Sequence, residues 1–253
     1  QVEHVVGEAA VATALLGRSL KFDGKLTFQM QGAEHLRLLV MQSDNNLNIR
    51  GIARFGDALP EHFTELVDGG LLTITIESSG MGEKKAERYQ SIVPLSEKNL
   101  EQCLGVYYQQ SVQLPTVLLL AANQERAAGL MLQAMPERTS GSGRWRRLLD
   151  ELSALDVLRM SALDDNALLS VLFPEDDIRL FDAESVSFRC DCSEERIENM
   201  LRMFGAEELS ALASDHDPVE IRCEFCNKGY EVSIERIGQL IAEVTGSGES
   251  SLH

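Results

Sequence analysis

The chain has 253 residues, 44% of them hydrophobic, which is enough for a sizeable core and long enough for two domains. Its formal charge of −17, from 23 basic and 40 acidic side chains, has the wrong sign for displacing counterions from nucleic acid or for settling on anionic lipid. No apolar run reaches bilayer-spanning length, and five cysteines are too few for a disulfide-dense secreted scaffold.

The first residue is Gln1. Val2, Val5, Val6, Ala9, Ala10, Thr13 and Leu16 recur at helical spacing, so the chain is expected to open inside or at the start of a helix, as a fragment of a longer protein. Next, Leu20 to Gly32 alternates on both sides of Asp23-Gly24, the pattern of a hairpin. Leu36–Met41 and Ile49–Phe55 read as strands around a polar turn at Ser43–Asn46, and Leu71–Ile76 and Tyr89–Val93 as a further pair. Between that pair, Ser78 to Lys85 is rich in glycine and lysine but lacks phosphate-loop spacing, and reads as a hairpin tip. Ser96 is placed to cap a helix running to about Ser111, with Leu100, Cys103, Leu104 and Tyr107 on one face. Thr116–Ala121 and Ala128–Met135 complete the strands, and Pro136 closes the second. Residues 1–136 therefore read as a mixed α/β domain rich in antiparallel sheet, with no Ser/His/Asp constellation and no dinucleotide fingerprint.

After Ser140-Gly141-Ser142-Gly143, a stripe of Trp145, Leu148, Leu149, Leu152, Leu155 and Leu158 falls at helical intervals, and a second helix is expected over Asn166–Phe173. The segment 137–185 thus reads as a helical linker, either packed on the first domain as ordinary structure or docked and able to come loose. Residues 186–253 form a small third part. Ser193 caps a helix with Ile197, Met200, Leu201 and Phe204 on its apolar face and Gly205 at its end, and a short helix covers about Glu207–Ala213. Ser233 caps a last helix carrying Ile234, Ile237, Leu240, Ile241 and Val244, followed by a polar tail from Thr245. The predicted class is α+β: a sheet-rich first domain, a helical linker and a small four-cysteine domain.

That last part holds the most specific signal. Cys190-x-Cys192 and Cys223-x-x-Cys226 supply two close thiolate pairs, the donor set for a tetrahedral S4 site, which Zn²⁺ favours. The second pair caps a hairpin, with Val219 and Ile221 alternating in and Tyr230 and Val232 alternating out. Four cysteine ligands leave no open position for a hydrolytic water, so the zinc is expected to be closed and the chain not an enzyme. His216 is nearby but is not needed as a ligand. From residue 180 onward there are 16 acidic against 6 basic side chains, net −10, which argues against a nucleic-acid-binding zinc finger. The fifth cysteine, Cys103, reads as a buried bystander, and five reduced thiols point to the cytoplasm. Oxidation of zinc-bound thiolates would remove every ligand and convert sulfur chemistry into local unfolding, which could release the adjacent linker. Of the three possible pairings, proximity favours Cys190–Cys192 and Cys223–Cys226. A thiol oxidoreductase, which needs a thioredoxin-like βαβ unit, and a plain zinc-stabilised interaction protein are the alternatives.

The segments Phe188-Arg189-Cys190-Asp191-Cys192-Ser193 and Cys223-Glu224-Phe225-Cys226-Asn227 resemble, in order, spacing and flanks, the C-terminal zinc motif of the heat-shock protein 33 family. The resemblance extends to Ala12-Thr13-Ala14-Leu15-Leu16, Leu20-Lys21-Phe22-Asp23-Gly24, Arg50-Gly51-Ile52-Ala53-Arg54 and Gln113-Leu114-Pro115-Thr116, nearly the whole chain. It implies a bacterial cytoplasmic holdase chaperone that is inactive while reduced and zinc-bound. Peroxide or hypochlorous acid, aided by heat, would release zinc, unfold the linker and expose apolar surface to unfolding client proteins in a stress response. The resemblance further implies independence of ATP and a homodimer when oxidised. The chain departs from the family at its N-terminus, where residues of the family's first domain are expected to be missing, which bears on dimer formation and basal activity.

Overall fold

In the computed structural model the described residues are 2–20, 22–78, 87–135, 143–153, 165–174, 177–215 and 218–248. The chain divides into two compact units, Gln1–Phe188 and Arg189–His253.

Helix α1 (Val2–Ser19) forms because its apolar residues recur every three to four positions, and the face they make is the one it buries: Val5, Ala9, Ala12, Thr13 and Leu16. The buried Thr13 hydroxyl donates to the Ala9 carbonyl at 2.7 Å, so no polar group is stranded. Strands β1 (Gly24–Gln31), β2 (Leu36–Asp44) and β3 (Asn48–Phe55) follow, then the one-turn α2 (Phe63–Leu66), β4 (Leu71–Ser78) and β5 (Arg88–Pro94). They join in one sheet of order β5-β4-β1-β2-β3-β8, where β8 is Ser187–Phe188. All neighbours are antiparallel except β3 and β8, which run parallel with Asn48 opposite Ser187 and Ile49 opposite Phe188. Alternation puts Leu26, Phe28 and Met30 of β1 and Leu72 and Ile74 of β4 on the same buried face, where they share a core with α1.

The hairpin expected at Asp23-Gly24 is not formed. Helix α1 runs on to Ser19, which leaves too few residues for a strand before Asp23. Gly24 instead opens β1 at φ 154°, opposite Ser78, where a Cβ would collide with the Glu77 carbonyl oxygen. The glycine serves a close backbone approach rather than a two-residue turn. The turn between β2 and β3 and the pairing of β4 with β5 are as expected. The Ser78–Lys85 tip lies mostly outside the described residues.

Helix α3 (Leu100–Tyr107) buries Leu100, Cys103, Leu104 and Tyr107, the predicted face. Its cap is Asn99, whose side chain accepts from the Gln102 amide at 3.0 Å, and not Ser96. Either residue type caps well, and the bends between Ser96 and Asn99 decide which one meets the first turn. A π-helical turn, Tyr108–Val112, ends it with Gln113 in the left-handed region. Strands β6 (Thr116–Ala122) and β7 (Ala127–Gln133) form a separate hairpin that packs on α1 and α3. Contact there is close, since a Cβ on Gly7 would stand 2.5 Å from that of Ala122. Helices α4 (Gly143–Leu152) and α5 (Asp165–Leu172) come from the predicted linker and lie within the first unit, with Leu152 and Leu172 buried. Leu155 and Leu158 of the predicted stripe lie outside the described residues. No helix among the described residues is long and apolar enough to cross a membrane.

One charged contact in this unit carries a pH signature. Glu101 of α3 accepts from the Leu120 backbone N–H through Oε1 and from Asn99 Nδ2 through Oε2 at 3.1 Å. Burial first, and then the Glu101 charge, push the Glu8 carboxyl of α1 up to about 7. Glu8's folded pKa therefore exceeds its unfolded one. Its stabilising contribution is full below the unfolded value and is lost as pH rises through about 7. Replacing it with an uncharged isostere (Glu8→Gln) is expected to stabilise the first unit at pH 8 by about 1–2 kcal/mol, the shift being discounted for partial exposure. The gain should vanish below about pH 4, under the unfolded value. Denaturant midpoints of both proteins at the two pH values check this; equal differences at both would contradict it.

Candidate metal centre

The second unit begins immediately after β8, and both cysteine pairs lie in it. Helix α6 (Glu194–Leu201) is capped by Ser193, whose hydroxyl accepts from the Arg196 amide at 3.2 Å, as predicted. An Asp191–Arg196 ion pair adds a second tie across the Cys190–Cys192 segment. Helix α7 (Ala206–Asp215) leads to the hairpin of β9 (Val219–Arg222) and β10 (Gly229–Val232), and helix α8 (Ile234–Gly248) follows. Ser233 caps α8, accepting from the Arg236 amide at 3.2 Å. The helix continues past Val244, where a polar tail was expected to begin.

The core of this unit is small: among the described residues it buries Ile197, Leu201, Leu209, Val219, Tyr230, Val232, Ile237 and Leu240. Met200 and Phe204, predicted to face it, are more than a third exposed. On the surface, Arg236 bonds Glu198 at 2.6 and 2.9 Å, and Arg202 bonds Glu243 at 2.9 Å, which links α6 to α8. Arg236 first, and Arg202 with it, hold the Glu198 carboxyl below the usual carboxylate range.

At the hairpin tip, the Cys223 amide donates to the Lys228 carbonyl at 2.9 Å and the Asn227 amide to the Cys223 carbonyl at 2.7 Å. Asn227, at φ 59°, supplies the left-handed residue that closes the turn. The tip therefore turns Cys223 and Cys226 to one side, where Cys190 and Cys192 meet them. All four sulfurs lie within 4.8 Å of one another, with Cys190–Cys223 at 3.7 Å and Cys192–Cys226 at 3.4 Å. A tetrahedral ion with metal–sulfur bonds of about 2.3 Å requires sulfur–sulfur edges of about 3.8 Å. The donor set fits such an ion, and all four cysteines are half-buried thiols. Residue 216 lies outside the described residues, and four sulfurs complete the shell without it.

The protons of the cluster are shared unevenly. The Tyr230 hydroxyl donates to Cys192 Sγ at 3.0 Å and holds that thiol down to about 7. For Cys226 the Lys228 amide opposes the shift, yet the bond with Cys192 and desolvation push the thiol up to about 12. Cys103, fully buried on α3, has its thiol pushed up by burial and belongs to the first core, as a bystander should. Tyr230 was legible in the sequence only as a position of the alternating strand that leads out of the second cysteine pair. Its hydroxyl reaches a cysteine 38 residues away, which strand periodicity does not encode.

Residues 1–233, which include all four clustered cysteines, match the family model described as "Hsp33 protein". The chain belongs to the Hsp33 family. Curated relatives carry the name 33 kDa chaperonin. That of Nitrosococcus oceani is 37% identical over 243 residues, covering 96% of this chain and 82% of its own length. That of Proteus mirabilis is 33% identical over 250 residues, covering 94% and 83%. The crystal structure of the Thermotoga maritima 33 kDa chaperonin superposes with a TM-score of 0.78 at 20% identity, covering 96% of this chain and 86% of that one. The Hsp33 fold, mixed α+β with a C-terminal four-cysteine cluster, is therefore the fold of this chain.

Proposed function

We propose that this chain is a redox-switched, ATP-independent holdase chaperone of the bacterial cytoplasm that acts by binding and not by turnover. The observation that carries the reading is the cluster of four converging thiols in a unit with a small core. Cys190, Cys192, Cys223 and Cys226 hold one Zn²⁺ in the reduced protein, and the ion supplies the cross-link that the core lacks. On oxidation a cysteine thiolate attacks a peroxide oxygen. The O–O bond breaks, an S–O bond forms and hydroxide leaves. A second thiolate then displaces hydroxide from that sulfur to close a disulfide. Each disulfide thus costs one peroxide, which takes two electrons and two protons to become two waters. Two such events, giving Cys190–Cys192 and Cys223–Cys226, leave the ion without ligands.

The chain itself offers a route from there to client binding. Only Arg189 separates Cys190 from β8, the two-residue edge strand beside β3. Val186 and Phe188 of that segment also line an apolar groove of about 560 Å³ with Val11 and Leu15 of α1, Ile52 of β3 and Ala128 of β7. The segment before it exposes further apolar side chains, Phe181 at 78%. Loss of the metal unit frees β8 and the apolar segment 178–188 for unfolding proteins, in a homodimer of the oxidised chain. The alternative of a thiol oxidoreductase is disfavoured by the setting of Cys223 and Cys226, which cap a two-stranded antiparallel hairpin and not a βαβ unit.

The test follows aggregation of a heat-unfolding client and zinc release together, before and after warm peroxide treatment of the reduced protein. Suppression should appear with metal loss and reverse with reductant, and Cys223→Ser with Cys226→Ser should uncouple it from peroxide. Zinc loss without suppression would reduce the unit to a structural module.

A further inference from the structure

Tyr230 is 5% exposed, and its ring is fixed on β10 opposite Ile221 of β9. It packs in the same cluster as Val219, Val232 and Ile237, while Lys228 Nζ stands 4.9 Å from the ring centre. A tyrosine held this way has little freedom to turn its hydroxyl elsewhere. That hydroxyl meets one sulfur of the four, Cys192 Sγ, at 3.0 Å.

We propose that Tyr230 is a positioning residue of the thiol switch: its O–H orients the Cys192 sulfur toward the shared centre and blunts that sulfur as a nucleophile. A hydrogen bond donated to a thiolate takes up a lone pair and draws electron density from it. In the zinc-loaded chain all four sulfurs are thiolates whatever their proton affinity, so the donated bond acts on oxidation only through how readily that lone pair attacks peroxide. Fixing the sulfur's direction also favours metal retention, as partners behind metal ligands generally do. Tyr230 thereby makes the four cysteines unequal, with Cys192 the protected one, and sets the oxidant level at which the switch fires. The inference rests on the zinc reading above.

The experiment compares the reduced, zinc-loaded chain with Tyr230→Phe, which keeps the ring and its packing and removes only the donor. Zinc affinity, by competition with a chromophoric chelator, should fall about tenfold. Zinc release at a fixed peroxide concentration should accelerate by about the same factor. Mass spectrometry of the first-modified thiols should show the share at Cys192 rising. In the Co²⁺-loaded form, the sulfur-to-metal charge-transfer band should move to lower energy as the sulfur becomes more electron-rich. A purely structural tyrosine would not move that band. Circular dichroism verifies that the helices persist.

Unchanged release, labelling order and band position in a folded variant would overturn the proposal alone. A wild-type chain that binds no zinc would overturn it together with the zinc reading. Shifts at Cys192 without any aggregation suppression would support the tyrosine's role while sinking the holdase.

Discussion

With the cysteine cluster holding the proposed Zn²⁺, a strong chelator is expected to unfold residues 189–253 of the reduced chain and leave residues 1–188 folded. Among its described residues the second unit, 65 residues long, has eight buried hydrophobic side chains, few for a domain that must offset the conformational entropy of its backbone. The Glu198–Arg236 and Arg202–Glu243 network cannot replace the ion, because its members are about a third exposed and screened by solvent. Structural zinc contributes roughly 10–16 kcal/mol of apparent free energy in small modules. Far-UV circular dichroism should therefore lose the signal of α6, α7 and α8 on chelation and regain it on adding Zn²⁺. Hydrogen exchange should show protection lost from β9 and β10 while β1 and β4 keep theirs. Retention of all three helices after metal removal would mean that the core suffices, and chemistry at the cysteines could then not act through unfolding.

Truncation of Phe28 to alanine should have the converse effect. Phe28 is fully buried on β1, paired with Met41 of β2 and Ile74 of β4, at the middle of the sheet face that α1 covers. Removing its ring leaves a cavity walled by three strands and a helix that cannot all collapse into it. The expected loss is about 3–5 kcal/mol, which for a unit of this size lowers its melting temperature by about 10 °C. Zinc affinity and the rate of peroxide-driven zinc release should not change, because the described residues of this core all come from the first unit. Calorimetry with parallel chelator competition checks both halves, and a coupled fall in zinc affinity would refute the independence of the two cores.

Most of the elements were legible because their signals are local. A strand such as β4 announces itself through Leu72, Ile74 and Ile76, and α1 through Val5, Ala9 and Leu16, since side chains two or about four positions apart share a face whatever lies opposite. The two cysteine pairs were equally plain, because cysteines two and three positions apart are already close before any folding. Misreadings arose where several local solutions compete. Asp23-Gly24 suits a turn, but the length of α1 and the approach of Glu77 turn Gly24 into a strand opening. Ser96 and Asn99 are both good caps, and the path of the preceding bend chose Asn99.

The periodicities, the two cysteine pairs and the hairpin that carries the second of them are written in the chain, because each depends on neighbours along it. The sheet order, the parallel addition of β8 to β3, the meeting of Glu8 with Glu101 and the reach of the Tyr230 hydroxyl to Cys192 emerge in the folded chain alone. These are contacts between residues far apart in the chain. They are set by how buried faces pack and by where desolvated charges and donors find partners, which no local pattern records.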